Sequence, residues 1–143
     1  MAGEPGGLNI CFDESMGRRI AAILVEVRAP GHPGIHDMRS FDLAGQSDEL
    51  LMGELARRRM HVLVTKDSRI LAASIRRDAW RASGLTLFVL DGKWGNLSIF
   101  EQVRGVFFWW PRLIRQAREG PQGSAWNVPV KLTESSMRRV FPD

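Results

Sequence analysis

The sequence predicts an α/β layer fold on a mainly parallel sheet, and two observations predict it. Short apolar runs alternate with longer stretches whose apolar residues recur at helical spacing, the pattern of strands joined through crossover helices. One run, residues 85–90, is apolar at nearly every position, as a strand covered on both faces must be.

The elements follow in chain order. Residues 1–7 read as a flexible leader, and residues 8–12 as a short buried strand stopped by Asp13-Glu14. Ser15 is placed to cap a helix whose apolar positions Met16, Ile20, Ile23, Leu24 and Val27 share a face. Pro30-Gly31-His32-Pro33-Gly34 ends it, and residues 35–38 make a second strand before a loop over 39–46. Ser47 is the expected N-cap of the next helix, with Asp48 and Glu49 where negative charge meets the positive end of the dipole. Leu50, Leu51 and Leu55 supply its inner face. Residues 61–65 form a third strand ending at Lys66-Asp67-Ser68, and Ile70, Leu71, Ile75 and Ala79 line a helix that Gly84 closes. After the strand 85–90 and the loop from Asp91 to Gly95, Ser98 and Glu101 have the spacing of a capping box. That last helix is lined by Ile99, Val103, Val106 or Phe107, Trp110 and Ile114, and Pro111 is expected to kink it. A fifth strand is expected around residues 128–132. The domain then spans residues 8–119, and residues 120–143 form a C-terminal extension packed on it or on a partner.

Length and composition set outer limits. A chain of 143 residues, 44% hydrophobic and 25% charged, makes one globular domain and argues against bulk disorder. The lone Cys11 excludes an internal disulfide and every multi-cysteine zinc site. No apolar run approaches the ~18 residues of a membrane span, and MAGEPGG lacks the segments of a signal peptide, so the expected address is cytoplasmic with no membrane partner. The chain carries +4, and 17 of its 20 basic residues are arginine. The planar guanidinium fork suits phosphate oxygens, although G+C-rich coding gives the same bias without functional meaning.

Ligands of parallel sheets bind outside the carboxyl ends of the strands, where strand order reverses. Three expected strands end on an acid: Asp13, Asp67 and Asp91. If the first and third strands are neighbours, about 4.8 Å apart, Asp13 and Asp67 face one crevice. A helix opening at Asp48-Glu49 on that side adds a third carboxylate. Crowded carboxylates repel, and Mg²⁺ is held by one or two of them plus water, with a substrate phosphate completing the shell. Hydrolysis of a phosphodiester is the chemistry that follows. Each acid also has a structural reading, since strand ends meet solvent, Asp67 or Ser68 can cap a helix, and Asp48 and Glu49 complement a dipole.

Asp13-Glu14 after an apolar strand, Ser47-Asp48-Glu49-Leu50-Leu51 opening a helix, and Val62-Leu63-Val64-Thr65-Lys66-Asp67 closing a strand recur, in this order and spacing, in compact PIN-like domains. Over residues 8–115 the chain resembles that family, relatives of the PIN-domain ribonucleases, many of which are toxins of bacterial toxin–antitoxin pairs. The resemblance implies a three-layer α/β fold with a mainly parallel sheet of four or five strands flanked by helices. It implies a Mg²⁺- or Mn²⁺-dependent endoribonuclease acting on RNA, the toxin of a type II pair restrained by a small antitoxin protein. Position by position, Asp13 matches the first-strand aspartate, Asp48 the aspartate heading the helix, and Asp67 the aspartate of the Thr-x-Asp motif. These three are the expected catalytic residues, and with Glu14 the expected metal ligands, supported by Thr65, Lys66 and Ser68. The acid that full-length PIN domains carry on a helix between the first and third motifs has no counterpart; Asp37 and Asp42 stand in that stretch, and Glu14 is placed to fill the gap. This departure keeps open a second reading, a catalytically inactive PIN-like module that binds RNA or protein.

Around the crevice, Lys66 is placed to touch phosphate, Arg76 and Arg77 to follow an RNA backbone, and Trp94 to stack an unpaired base. Solvated faces and loop packing are the alternatives. Arg57-Arg58-Arg59 reads as a cluster satisfying a helix C-terminus, and Cys11 as a small hydrophobe in a strand. The histidines have no metal-like spacing, though His36 lies in reach of the acidic crevice. Four successive aromatics, residues 107–110, cover every side of a helix, so at least one lies outside the core, in a partner surface, a homodimer seam or a layer under the C-terminal tail. A phospho-receiver domain shares the acids after its first and third strands. The proline expected after Asp67 is missing, however, and Asp91 stands where a hydroxyl belongs.

Overall fold

The computed structural model describes residues 7–43, 46–90, 92–132 and 137–141. Six strands make one sheet: β1 (Asn9–Phe12), β2 (Gly34–Asp37), β3 (Val62–Thr65), β4 (Thr86–Leu90), β5 (Ala125–Val128) and β6 (Arg138–Phe141). Their spatial order is β2-β1-β3-β4-β5-β6, with β1 to β5 parallel and β6 antiparallel at the edge. The helices are α1 (Arg18–Glu26), α2 (Asp48–Arg57), α3 (Ser74–Ser83) and α4 (Ile99–Glu119). No helix among the described residues is long and apolar enough to cross a membrane.

The two-residue period of the strands divides the core. Ile10, Phe12, Val62, Val64, Phe88 and Leu90 pack with Ile20 and Leu24 of α1 and with Trp109, Trp110 and Leu113 of α4. Their alternate neighbours Cys11, Leu63, Leu87 and Val89 pack with Met52 and Leu55 of α2 and Trp80 of α3. The result is three layers, helices over both faces of the sheet. From β1 the chain passes to one side for β2 and to the other for β3, so strand order reverses between β1 and β3. These two are the neighbours that the acidic crevice requires: Cys11 is level with Leu63, and Phe12 with Val64.

Several elements differ from expectation for definable reasons. Ser15 does not cap α1; Asp13 caps a 3-10 turn, Glu14–Met16, and α1 begins after Gly17, whose φ of 74° turns the chain between them. Leu50 is 64% exposed because Leu51, Met52 and Leu55 set the inner face of α2, and Leu50 stands about 100° round from its neighbour Leu51. In α3, Trp80 turns inward; Ile75, about 140° away around the helix, is 63% exposed. α3 itself starts only at Ser74, after a turn over residues 68–71. The fifth strand lies at Ala125–Val128, three residues before its expected start, and β6 follows it, so the segment expected as an extension completes the sheet. α4 runs unbroken through Pro111. Its aromatics divide: Trp109 and Trp110 are buried and donate to the carbonyls of Pro129 and Pro30, whereas Phe107 is exposed. Residues 1–6 of the expected leader and Asp91 lie outside the described residues.

Trp94 corrects a further expectation. It is fully buried, donates its indole N–H to the Val128 carbonyl at 2.9 Å, and lies against Gly105 of α4. It offers no face to a base and instead ties the loop after β4 to the helix and to β5. A Cβ at Gly105 would stand 2.5 Å from the Trp94 ring. Gly105→Ala is therefore expected to destabilise the fold by about 1–3 kcal/mol in urea unfolding, despite a gain of about 1 kcal/mol in helix propensity. Gly53→Ala, in α2 with no atom within 4 Å, is expected to stabilise by about 0.5–1 kcal/mol.

Candidate functional site

The site begins where the β1–β3 ladder runs out. Asp13 extends it by one rung, its N–H donating to the Val64 carbonyl at 2.9 Å, which sets its side chain beside Thr65. The Thr65 hydroxyl, fully buried, donates to Asp13 Oδ2 at 2.5 Å and accepts the Asp67 N–H at 3.0 Å. Ser15 Oγ donates to the same Asp13 oxygen at 3.1 Å and accepts the Lys66 N–H at 2.9 Å. Asp13 Oδ1 accepts the Glu14 N–H at 2.7 Å. Two strand ends distant in sequence are thus locked by one threonine and one serine, with Asp13 as the shared acceptor.

Asp67 completes this edge. Its Oδ1 accepts the Arg69 N–H at 3.0 Å and lies 3.7 Å from the Arg69 guanidinium, while Oδ2 accepts no hydrogen bond among the described residues. Asp48 comes from the other direction, as the first residue of α2 behind the Ser47 cap. Burial pushes its carboxyl above the ordinary 3.8, and the charges of Asp67, then Asp13 and Glu49, push the same way; Arg76 opposes them. Asp13, Asp48 and Asp67 therefore share one electrostatic environment, with negative charge in excess.

The supporting residues fall into place unevenly. Lys66 points its ammonium to Gln102 Oε1 of α4 at 3.4 Å. Ser68 is exposed at the start of the turn after β3. Arg76 faces Asp48, whereas Arg77 spends its guanidinium on the carbonyls of Leu71 and Ala72 and braces that turn. His36 packs its ring on Phe41 at 5.6 Å between centroids, and burial lowers its pKa. The Cys11 thiol is pushed up to about 12 by burial and by Asp13 and Asp37, which leaves it an inert neutral group.

Two residues of the site are not anticipated from the sequence. Asp37 ends β2 level with Phe12, so a third adjacent strand brings an acid to this edge. Arg39, two residues on, donates to the Glu14 carbonyl at 3.2 Å, and its Nη1 is buried with no partner among the described residues. The available signal was the acid closing the short run Gly34-Ile35-His36-Asp37, the same pattern that marked Asp13.

The donor set can be tested against a divalent cation. Among the described residues, no group of three or more His, Cys, Asp or Glu side chains is close enough to hold a metal ion, so the expected cage of Asp13, Glu14, Asp48 and Asp67 is not formed. Hard carboxylate oxygens, one of them on a group raised by burial and then by its acidic neighbours, nonetheless fit a hydrated Mg²⁺, which needs one or two carboxylates and keeps water in its remaining positions.

A family model described as PIN like domain matches residues 8–92, which include β1 to β4 and every acid named above. Comparison with curated proteins and with solved structures gives no match.

Two outcomes follow from this geometry. Asp48, followed by NMR, is expected to titrate above 3.8, to move down in Asp67→Asn and further up in Arg76→Ala. Because the folded state then takes the proton first, this group's contribution to stability falls as pH rises from 3.8 through the raised value. Thr65→Val, which strips Asp13 and the Asp67 amide of a buried partner, is expected to cost about 1–3 kcal/mol in chemical unfolding.

Proposed function

The chain belongs to the PIN-like domain family, a nuclease-type fold, and on that premise we propose that it is a metal-dependent endoribonuclease, the toxin of a type II toxin–antitoxin pair. The observation that carries this reading is the meeting of Asp13 and Asp67, tied through Thr65, at the edge where strand order reverses, with Asp48 near enough that their charge adds to burial in raising its carboxyl. An excess of negative charge there is what a divalent cation and a phosphodiester together relieve.

Asp48 and Asp67 would hold Mg²⁺ or Mn²⁺, with Asp13 and Glu14 adding negative charge around it. Bound there, the cation supplies Lewis-acid activation of water and neutralises charge on the phosphate. Thr65 and Ser15 keep Asp13 from turning away. Arg76, whose charge acts on Asp48, holds a non-bridging oxygen of the scissile phosphate. A small antitoxin protein finds an apolar groove of about 220 Å³ between α1 and α4, walled by Val27, Pro30, Phe107 and Pro111.

A second reading, a non-catalytic module that binds RNA or protein, is favoured by the engagement of both Asp13 oxygens in hydrogen bonds and by the missing three-ligand group among the described residues. Mn²⁺ separates the two. For the enzyme, Mn²⁺ at a hundredfold excess over its Kd is expected to stabilise the wild type by about 2.7 kcal/mol and Asp67→Asn far less. RNA cleavage is expected to need the metal and to drop at least ~100-fold in Asp67→Asn, since removing a transition-state interaction worth about 2.7 kcal/mol has that effect. Equal cleavage by both proteins, or undiminished cleavage in EDTA, would overturn the enzyme; no stabilisation by Mn²⁺ would favour the binding module.

A further inference from the structure

A second cleft, of about 290 Å³, opens beside the acidic edge, lined by Ser15, Arg18, Arg19, Lys66, Gln102 and one acid, Glu14. Its walls come from the turn after β1, the start of α1, the end of β3 and the first turn of α4. We infer that this cleft binds a backbone phosphate of a single-stranded RNA, away from the phosphate that reacts; the inference rests on the nuclease reading only for the identity of the chain bound.

Three cations meet there without a counter-ion. Arg57 and Arg58 pair with Glu54, Arg69 with Asp67 and Arg81 with Asp78, whereas Arg18, Arg19 and Lys66, gathered in one cleft, pair with no carboxylate among the described residues. Lys66 is nevertheless fixed: Gln102 is buried, its amide donates to the Leu97 carbonyl, and its Oε1 takes one of the three ammonium N–H groups. α1 begins after Gly17 with no side-chain cap, so its first N–H groups add to the attraction for an anion. Guanidinium forks, an anchored ammonium and free amides form a donor set for phosphate oxygens.

Continuity with the acidic edge identifies the ligand as RNA. Ser15 and Lys66, which line the cleft, also join it to the acids: Ser15 Oγ bonds Asp13 and the Lys66 amide, and Lys66 adjoins Asp67. A strand whose reacting phosphate sits among the acids passes its next phosphates over Ser15 into the basic cleft. An acidic peptide lying along the same path would meet Asp13, Asp48 and Asp67 with like charge.

Fluorescence anisotropy with a labelled polyuridine oligonucleotide in EDTA tests this without calling on cleavage. Arg18→Ala/Arg19→Ala is expected to weaken binding at least ~10-fold and to flatten the dependence of log K on log salt by about 0.7 for each phosphate no longer neutralised. Arg18→Lys/Arg19→Lys is expected to recover most of the salt slope. The control Arg57→Ala/Arg81→Ala removes the same charge from paired arginines at the far ends of α2 and α3 and is expected to bind as wild type does. A 5′-phosphorylated and a 5′-hydroxyl oligonucleotide are expected to bind alike, because a backbone phosphate needs no chain end; a preference for the first, abolished in the double variant, overturns the backbone assignment in favour of a terminal monoester. Wild-type affinity and slope in the double alanine variant would overturn the inference, as would displacement of the labelled RNA by polyglutamate but not by unlabelled polyuridine. If the cleft variant fails to bind RNA while the wild type cleaves nothing, the cleft stands and the nuclease falls. If it binds and cleaves as wild type does, the nuclease stands and the cleft falls.

Discussion

The hydrogen bond from Thr65 to Asp13 joins the fold to its chemistry. It exists because β1 and β3, separated by α1, β2 and α2 in sequence, pair as parallel neighbours, and because alternation sends Asp13 and Thr65 to the face shared by Cys11 and Leu63. That face is covered by α2, whose first turn carries Asp48. Moving either strand by one residue would turn its own member of the pair to the α1–α4 layer and break the bond. The apolar core on each side of the sheet therefore fixes where the acids point.

The same residues carry structural and electrostatic duties in opposition. Asp13 caps a 3-10 turn, Asp37 caps another, and Asp48 sits in the first turn of a helix that favours negative charge. Each is stabilising locally, yet Asp48, its carboxyl raised first by burial, is raised further by the charges of Asp67 and Asp13. Hydroxyls and amides hold the acids together against repulsion, and Arg76 offsets part of it. The fold thus tolerates a concentration of charge that a further cation or a phosphate-bearing ligand can compensate. A site of this kind is pre-organised by its scaffold.

Much of this was legible in the sequence. Alternating strands and helices gave the layered architecture, because periodicity reports which faces are buried. Asp13, Asp48 and Asp67 stood out because each occupies a position, strand end or helix head, that topology brings to the same edge. The misses share a cause: they depend on tertiary neighbours. Leu50 and Ile75 suit an inner face by composition, but Met52 and Trp80 reach the core first. Trp94 looked like a loop aromatic until Gly105 opened a slot for it in α4. β6 is polar and arginine-rich, so its pairing with β5 left little mark on hydropathy. Asp37 was passed over because only the sheet order places β2 next to β1.

The burial of Cys11 has a practical corollary. Its thiol is pushed up to about 12, far from the reactive thiolate form, and the sulfur is buried between the sheet and the helices α2 and α3. Maleimides and disulfide-forming reagents therefore find almost nothing to react with in the native chain. A cysteine installed on an exposed turn would be the sole conjugation point, and a dye or spin label could be placed there without first mutating the native thiol.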